Sequence, residues 1–133
     1  MLLRSFVPGC WVALIVLAGV SFGCGPKGQV TIRGPEASDR APQEWAQAFT
    51  EAMDNNRKRF VTCYEEALKG DGSVQGTVTV KIELGAPSIP YSVDNTTGSE
   101  SLADCVVEWC PSTIYLGSPP EGYLKFELDF APQ

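Results

Sequence analysis

The sequence lacks histidine altogether and has few basic residues. Of its 133 residues, 10 are Lys or Arg and 16 are Asp or Glu, so the formal net charge is −6. The absence of histidine excludes Ser-His-Asp and Cys-His catalytic arrangements and removes the commonest zinc ligand. The acidic balance argues against general nucleic-acid binding, which needs clustered Lys and Arg. The one basic cluster, Arg57-Lys58-Arg59, is typical of a solvated helix face.

A hydrophobic run long enough to cross a membrane is also missing from the amino terminus. Residues 1–23 contain Arg4 and then the apolar run CWVALIVLAGVSF, which is shorter than the roughly 20 residues of a membrane-spanning helix. This pattern predicts an export signal. The sequence Ser21-Phe22-Gly23-Cys24 resembles the bacterial lipobox, where signal peptidase II cuts before a cysteine that carries diacylglycerol. The alternatives are an uncleaved amino-terminal anchor and a fully released protein.

The lipobox resemblance implies a location as well as a modification. Lipidation of Cys24 would anchor the chain to a membrane of the bacterial envelope, facing the periplasm, and Gly25 in the next position implies the outer membrane. Residues 24–41 are rich in Gly, Pro and charge, with one weak apolar alternation at Val30 and Ile32. We expect this segment to be a flexible tether.

Residues 42–133 are predicted to form one α+β domain that starts with a long amphipathic helix. Asp39 and Pro42 are start signals, and Gly70 and Gly72 are stop signals, so the helix would be about 27 residues long. Its apolar stripe follows three- and four-residue spacing. The stripe consists of Trp45, Phe49, Met53, Phe60, Cys63, Tyr64, Ala67 and Leu68.

Alternation of apolar and polar residues predicts three strands after this helix. The first two, Thr77–Leu84 and Ile89–Val93, form a hairpin, and Pro90 indicates that the second has an unpaired side or an irregularity. A short helix, capped by Ser99 or Ser101 and ended by Pro111, precedes the last strand, 123–130. The prediction is therefore helix-strand-strand-helix-strand, with a three-stranded antiparallel sheet and two helices on one face.

Three cysteines follow Cys24 and remain as candidate thiols: Cys63, Cys105 and Cys110. A bridge between Cys63 and Cys105 would join the core-facing sides of the two helices, whereas Cys110 lies beside Pro111 and off the apolar stripe. Zinc binding is disfavoured because the chain has no histidine and no CxxC pair. A redox-active pair is also disfavoured, because C-x4-C lacks the CxxC geometry.

Several of these segments together resemble a known family. They are Cys63-Tyr64-Glu65-Glu66-Ala67-Leu68, Gly76-Thr77-Val78-Thr79-Val80, Ser99-Glu100-Ser101-Leu102 and Cys105-Val106. The pattern is similar to the AgmX/PglI carboxy-terminal domain of myxobacterial proteins, a relative of the TonB carboxy-terminal domain. The resemblance covers roughly residues 57–130. It departs after Cys105, where Pro111 breaks a helix that the family usually continues.

The resemblance implies a non-enzymatic envelope module without cofactor, metal or small-molecule substrate, acting as an adaptor in a transport or motility machine. TonB-type domains pair an extended partner segment with a sheet edge, and we expect the final strand to supply that edge. Its partner-contacting residues would be Tyr123, Lys125, Glu127 and Asp129. The alternative is a structural envelope lipoprotein with no specific partner. A periplasmic enzyme is disfavoured, because the adjacent Glu65 and Glu66 point in different directions on a helix.

Overall fold

The computed structural model describes residues 25–114 and 116–133. The predicted export signal and the predicted lipidation site at Cys24 lie outside the described residues. The elements are β1 (Gly28–Ala37), α1 (Gln43–Asn55), α2 (Arg57–Gly70), β2 (Gly76–Glu83), β3 (Ile89–Asn95), α3 (Glu100–Trp109) and β4 (Tyr123–Pro132). The four strands form one sheet in the order β1-β4-β2-β3, and every neighbouring pair is antiparallel.

The core lies between one face of this sheet and the three helices. On that face, β4 contributes Leu124, Phe126, Leu128 and Phe130, all at most 2% exposed. Val78, Val80 and Ile82 of β2 lie opposite three of them in register and are fully buried. The buried side chains of all three helices belong to the same cluster. The predicted α+β class, the antiparallel sheet, the β2–β3 hairpin and the packing of the helices on one face are therefore confirmed.

The sheet has a fourth strand, β1, that the sequence did not predict. The prediction of a flexible tether over residues 24–41 is wrong for Gly28–Ala37, because Val30 and Ile32 lie opposite Phe130 and Leu128 of β4. Gly28 is required by packing rather than by flexibility, since a Cβ there would overlap the ring of Tyr64. The folded domain therefore begins before residue 42.

The single long helix expected over residues 42–68 is two helices, α1 and α2, separated at Asn56. The backbone of Asn56 leaves the helical region, with φ −94° and ψ 6°. Its side-chain Nδ2 donates a hydrogen bond of 2.7 Å to the carbonyl of Trp109, at the end of α3. An asparagine that bonds to a carbonyl outside its own helix favours a break at that position. The apolar stripe continues across the break, from Met53 to Phe60.

The third helix, α3, begins as predicted. Ser99 is its cap, and its Oγ accepts a hydrogen bond of 3.1 Å from the backbone N–H of Leu102. The disulfide between Cys63 and Cys105 is confirmed, with the two Cα atoms 5.8 Å apart. It joins α2 to α3, and α3 in turn packs against β3. The hairpin strand β3 therefore rests on a helix that is covalently attached to the rest of the core.

Candidate protein-docking edge

The predicted partner-contacting residues lie on a strand that has no free edge. These residues are Tyr123, Lys125, Glu127 and Asp129. Strand β4 pairs with β1 on one side and with β2 on the other, so it cannot accept a further strand. The expectation that the final strand supplies the docking edge is therefore wrong. The reason is the unpredicted strand β1, which occupies that side of β4.

The side chains of these four residues point to the outer face of the sheet, where other residues already bind them. Arg33 forms ion pairs of 2.8 Å with Glu127 and 2.7 Å with Asp129. Thr77 Oγ1 donates a 2.6 Å hydrogen bond to Asp129. The hydrogen bond from Arg33 is the main reason that the pKa of Asp129 lies below its usual value. This cluster is a cross-strand network within the sheet rather than an open binding site.

The other two predicted residues are also partnered across strands. The ammonium group of Lys81 lies 4.0 Å from the centre of the Tyr123 ring, a cation–π contact between β2 and β4. Lys125 forms a 3.3 Å ion pair with Glu36 of β1. The outer face is thus a network of compensated charges, and the unpaired backbone groups of the sheet lie at its two edges, β1 and β3.

The edge of β1 is partly closed by side chains of α2. The backbone N–H of Gln133 donates to the carbonyl of Lys27, so the backbone groups of Lys27 face β4. Because these groups alternate in direction along a strand, those of Gly28 and Val30 point away from β4. The N–H of Gly28 donates to Glu65 at 3.4 Å, and the carbonyl of Val30 accepts from Arg57 Nη1 at 2.7 Å. An incoming strand would have to displace both side chains.

The edge of β3 is open over its central residues. The backbone N–H of Leu84 donates to the carbonyl of Gly122, so the backbone groups of Leu84 face β4. Successive residues of a strand turn their backbone groups to opposite sides, so those of Glu83 face β3. In the observed register, Ile89 and Tyr91 therefore pair with β2, whereas Pro90 and Ser92 turn their backbone groups outward. Pro90 has no N–H to donate, as is usual for proline on an edge strand. Within the described part of the chain, no side chain hydrogen-bonds to the outward groups of Ser92.

Strand β3 also carries exposed apolar side chains. Ile89 is 59% exposed, Tyr91 36% and Val93 46%, and these are three of the five large hydrophobic residues exposed in the described residues. Val93 is the unpaired residue of a bulge, opposite the step from Thr79 to Val80. An exposed edge with several apolar side chains marks a site for strand pairing or for association.

The remaining cysteine, Cys110, does not contribute reactive chemistry. Its thiol is free and buried, and burial raises its pKa to about 12. A thiol with such a pKa has almost no thiolate at neutral pH, so it is a poor nucleophile and a poor metal ligand. No group of three or more potential metal ligands occurs within residues 25–114 and 116–133.

No protein-family model matches this chain, and neither does any curated protein or solved structure. No helix in the described part of the chain is both long and apolar enough to cross a membrane. The asymmetry between the two edges of the sheet is thus the feature that points to a function. In the described residues, side chains of α2 cap the β1 edge at Gly28 and Val30, whereas the β3 edge is open over its central residues and carries exposed apolar side chains.

Proposed function

We propose that this chain is a non-enzymatic cell-envelope lipoprotein, anchored through Cys24, whose folded domain binds a partner protein by strand addition. The partner places an extended segment along the outward edge of β3 and extends the sheet by one strand. The observation that carries the proposal is the open backbone of Ser92 between the exposed side chains of Tyr91 and Val93. Main-chain hydrogen bonds supply affinity in this mode of recognition, and side-chain contacts supply specificity.

Strand β3 has the support that such a role requires. The helix beneath it, α3, is attached to α2 by the Cys63–Cys105 disulfide. At the end of β3, Asn95 Nδ2 donates a 2.9 Å hydrogen bond to the carbonyl of Ser99, which holds the strand to the start of α3. A strand held at one end and from below changes little in conformation on binding, so little affinity is lost to ordering.

Photo-crosslinking in the envelope of the source bacterium tests the proposal. A photoreactive amino acid at Val93 should crosslink to a partner, whereas the same residue at Thr31, exposed on β1, should not. Adding Ser92→Pro, which removes the outward N–H, should weaken the Val93 crosslink about tenfold, the value of one well-placed hydrogen bond. Ser92→Ala keeps the N–H and is the matched control, so it should leave the crosslink unchanged.

Four results would contradict parts of this proposal. Equal crosslinking from Val93 and Thr31, or no response to Ser92→Pro, would exclude β3 as the docking edge. A complete lack of crosslinked partner would favour a structural lipoprotein instead. The intact mass of the protein purified from the same membranes tests the anchor. It should correspond to a chain that begins at Cys24 and carries added lipid, and the mass of an unmodified chain would exclude lipidation.

A further inference from the structure

The net charge of this protein is confined to the part of the chain that builds the β3 edge. Between Lys81 and Lys125 the sequence has no basic residue, whereas it has six acidic ones. These are Glu83, Asp94, Glu100, Asp104, Glu108 and Glu121. Because the whole chain has 16 acidic and 10 basic residues, the rest of the sequence contains ten of each and is neutral. This acidic segment includes all of β3 and α3.

Four of these carboxylates are exposed and without a cationic partner in the described residues. They are Asp94 on β3 and Glu100, Asp104 and Glu108 on α3. By contrast, Glu83 lies 3.9 Å from Lys81, and Glu121 forms a 3.0 Å ion pair with Arg40. The unpaired carboxylates thus belong to the docking strand and to the helix that packs against it.

We infer that the segment received by the β3 edge is a cationic extended polypeptide, with Lys or Arg alternating with apolar residues. This inference rests on the proposed function, because the open edge of β3 is the site and the carboxylates select what binds there. Side chains of an added strand alternate between the two faces of the sheet. One set would lie beside Ile89 and Tyr91 on the outer face, where apolar residues fit. The other set would lie on the side of α3.

The acidic segment should also increase the rate at which a cationic segment binds. A surface region of one charge sign raises the local concentration of oppositely charged ligands and increases the association rate. The acidic region should therefore steer cationic segments to β3 and repel anionic ones. Because the groups are exposed, the effect should disappear at about 1 M salt, where the screening length is only about 3 Å.

Binding of three synthetic peptides to the purified full-length chain tests this inference. The peptides are eight residues long and alternate valine with lysine, with threonine or with glutamate. At low salt the lysine peptide should bind about tenfold more tightly than the threonine peptide, and the glutamate peptide should not bind. In about 1 M NaCl the difference between lysine and threonine peptides should vanish.

Two pairs of variants separate a failure of this inference from a failure of the proposed function. Asp104→Asn, which removes an exposed charge on α3, should weaken binding of the lysine peptide about two- to fivefold, whereas Glu51→Gln, an equal charge change on α1, should have no effect. Ser92→Pro should weaken binding of both the lysine and the threonine peptides, whereas Ser92→Ala should weaken binding of neither. If both peptides bind equally and both respond to Ser92→Pro, the edge is correct and the cationic preference is wrong. If Ser92→Pro does not change the affinity for the lysine peptide, or if no peptide binds, docking at β3 is wrong.

Discussion

Replacing Cys63 and Cys105 together with alanine is expected to lower the free energy of unfolding by about 4 kcal/mol. The two cysteines are 42 residues apart, and a cross-link over such a loop removes much of the conformational freedom of the unfolded chain. For a domain of this size, that loss corresponds to a melting temperature roughly 15–25 °C lower. Urea and thermal unfolding followed by circular dichroism would measure both quantities.

The controls for this prediction use the third cysteine and a reductant. Cys110→Ala removes a buried thiol that forms no disulfide, so it should lower the free energy of unfolding much less than the double variant does. A reductant should destabilise the wild-type protein to about the level of the double variant and should have no effect on the double variant itself. A loss below about 1 kcal/mol would show that the disulfide does not restrict the unfolded chain as the entropy model requires.

Phe126→Ala is expected to lower the free energy of unfolding by about 3–5 kcal/mol, a large effect for a single substitution in the core. Phe126 is fully buried in the middle of β4 and lies opposite Val80 of β2, so its removal leaves a cavity that the flanking strands cannot fill. Chemical denaturation should show a lower midpoint with an unchanged slope.

Lys125→Ala is the matched control on the other face of the same strand. Lys125 is partly exposed and forms a surface ion pair with Glu36. Lys125→Ala should therefore lower the free energy of unfolding by only a small fraction of the amount expected for Phe126→Ala. Similar losses for the two variants would contradict the assignment of the inner and outer faces of β4.

The elements with clear local periodicity could be predicted from the sequence. The alternation in β2 and β4, the apolar stripe of α1 and α2, and the Ser99 cap depend on residues that are close together in the chain. The Cys63–Cys105 pairing could also be predicted, because both cysteines lie on helix faces that turn toward one core. Pro90 correctly indicated that β3 has an unpaired side, since a proline cannot donate to a ladder.

Strand β1 could not be predicted because the evidence for it lies about 100 residues away. Its inward residues, Val30 and Ile32, are too few for a periodicity, and Gly28, Gly34 and Pro35 give the segment the composition of a linker. Pairing with β4 and packing against Tyr64 make it a strand. Because β1 was not predicted, the docking edge was expected on β4, which the structure shows to be flanked by strands on both sides.

Neither could the difference between the two edges be read from the sequence. Capping of β1 depends on Arg57 and Glu65, which stand eight residues apart on α2 and reach Val30 and Gly28 only in the folded domain. In the sequence they are part of a basic cluster and of an acidic pair, with no indication that they bind backbone groups. Tertiary contacts of this kind decide which edge of a sheet stays open.

Amide hydrogen exchange measured by NMR, with and without the lysine–valine peptide, tests most directly whether β3 is the docking edge. The backbone N–H of Ser92 points outward on β3, and that of Ile32 points outward on β1. At 90% saturation, exchange at Ser92 should slow about tenfold, because only the free fraction exchanges, while exchange at Ile32 stays unchanged. Slower exchange at Ile32 with no change at Ser92 would contradict the account.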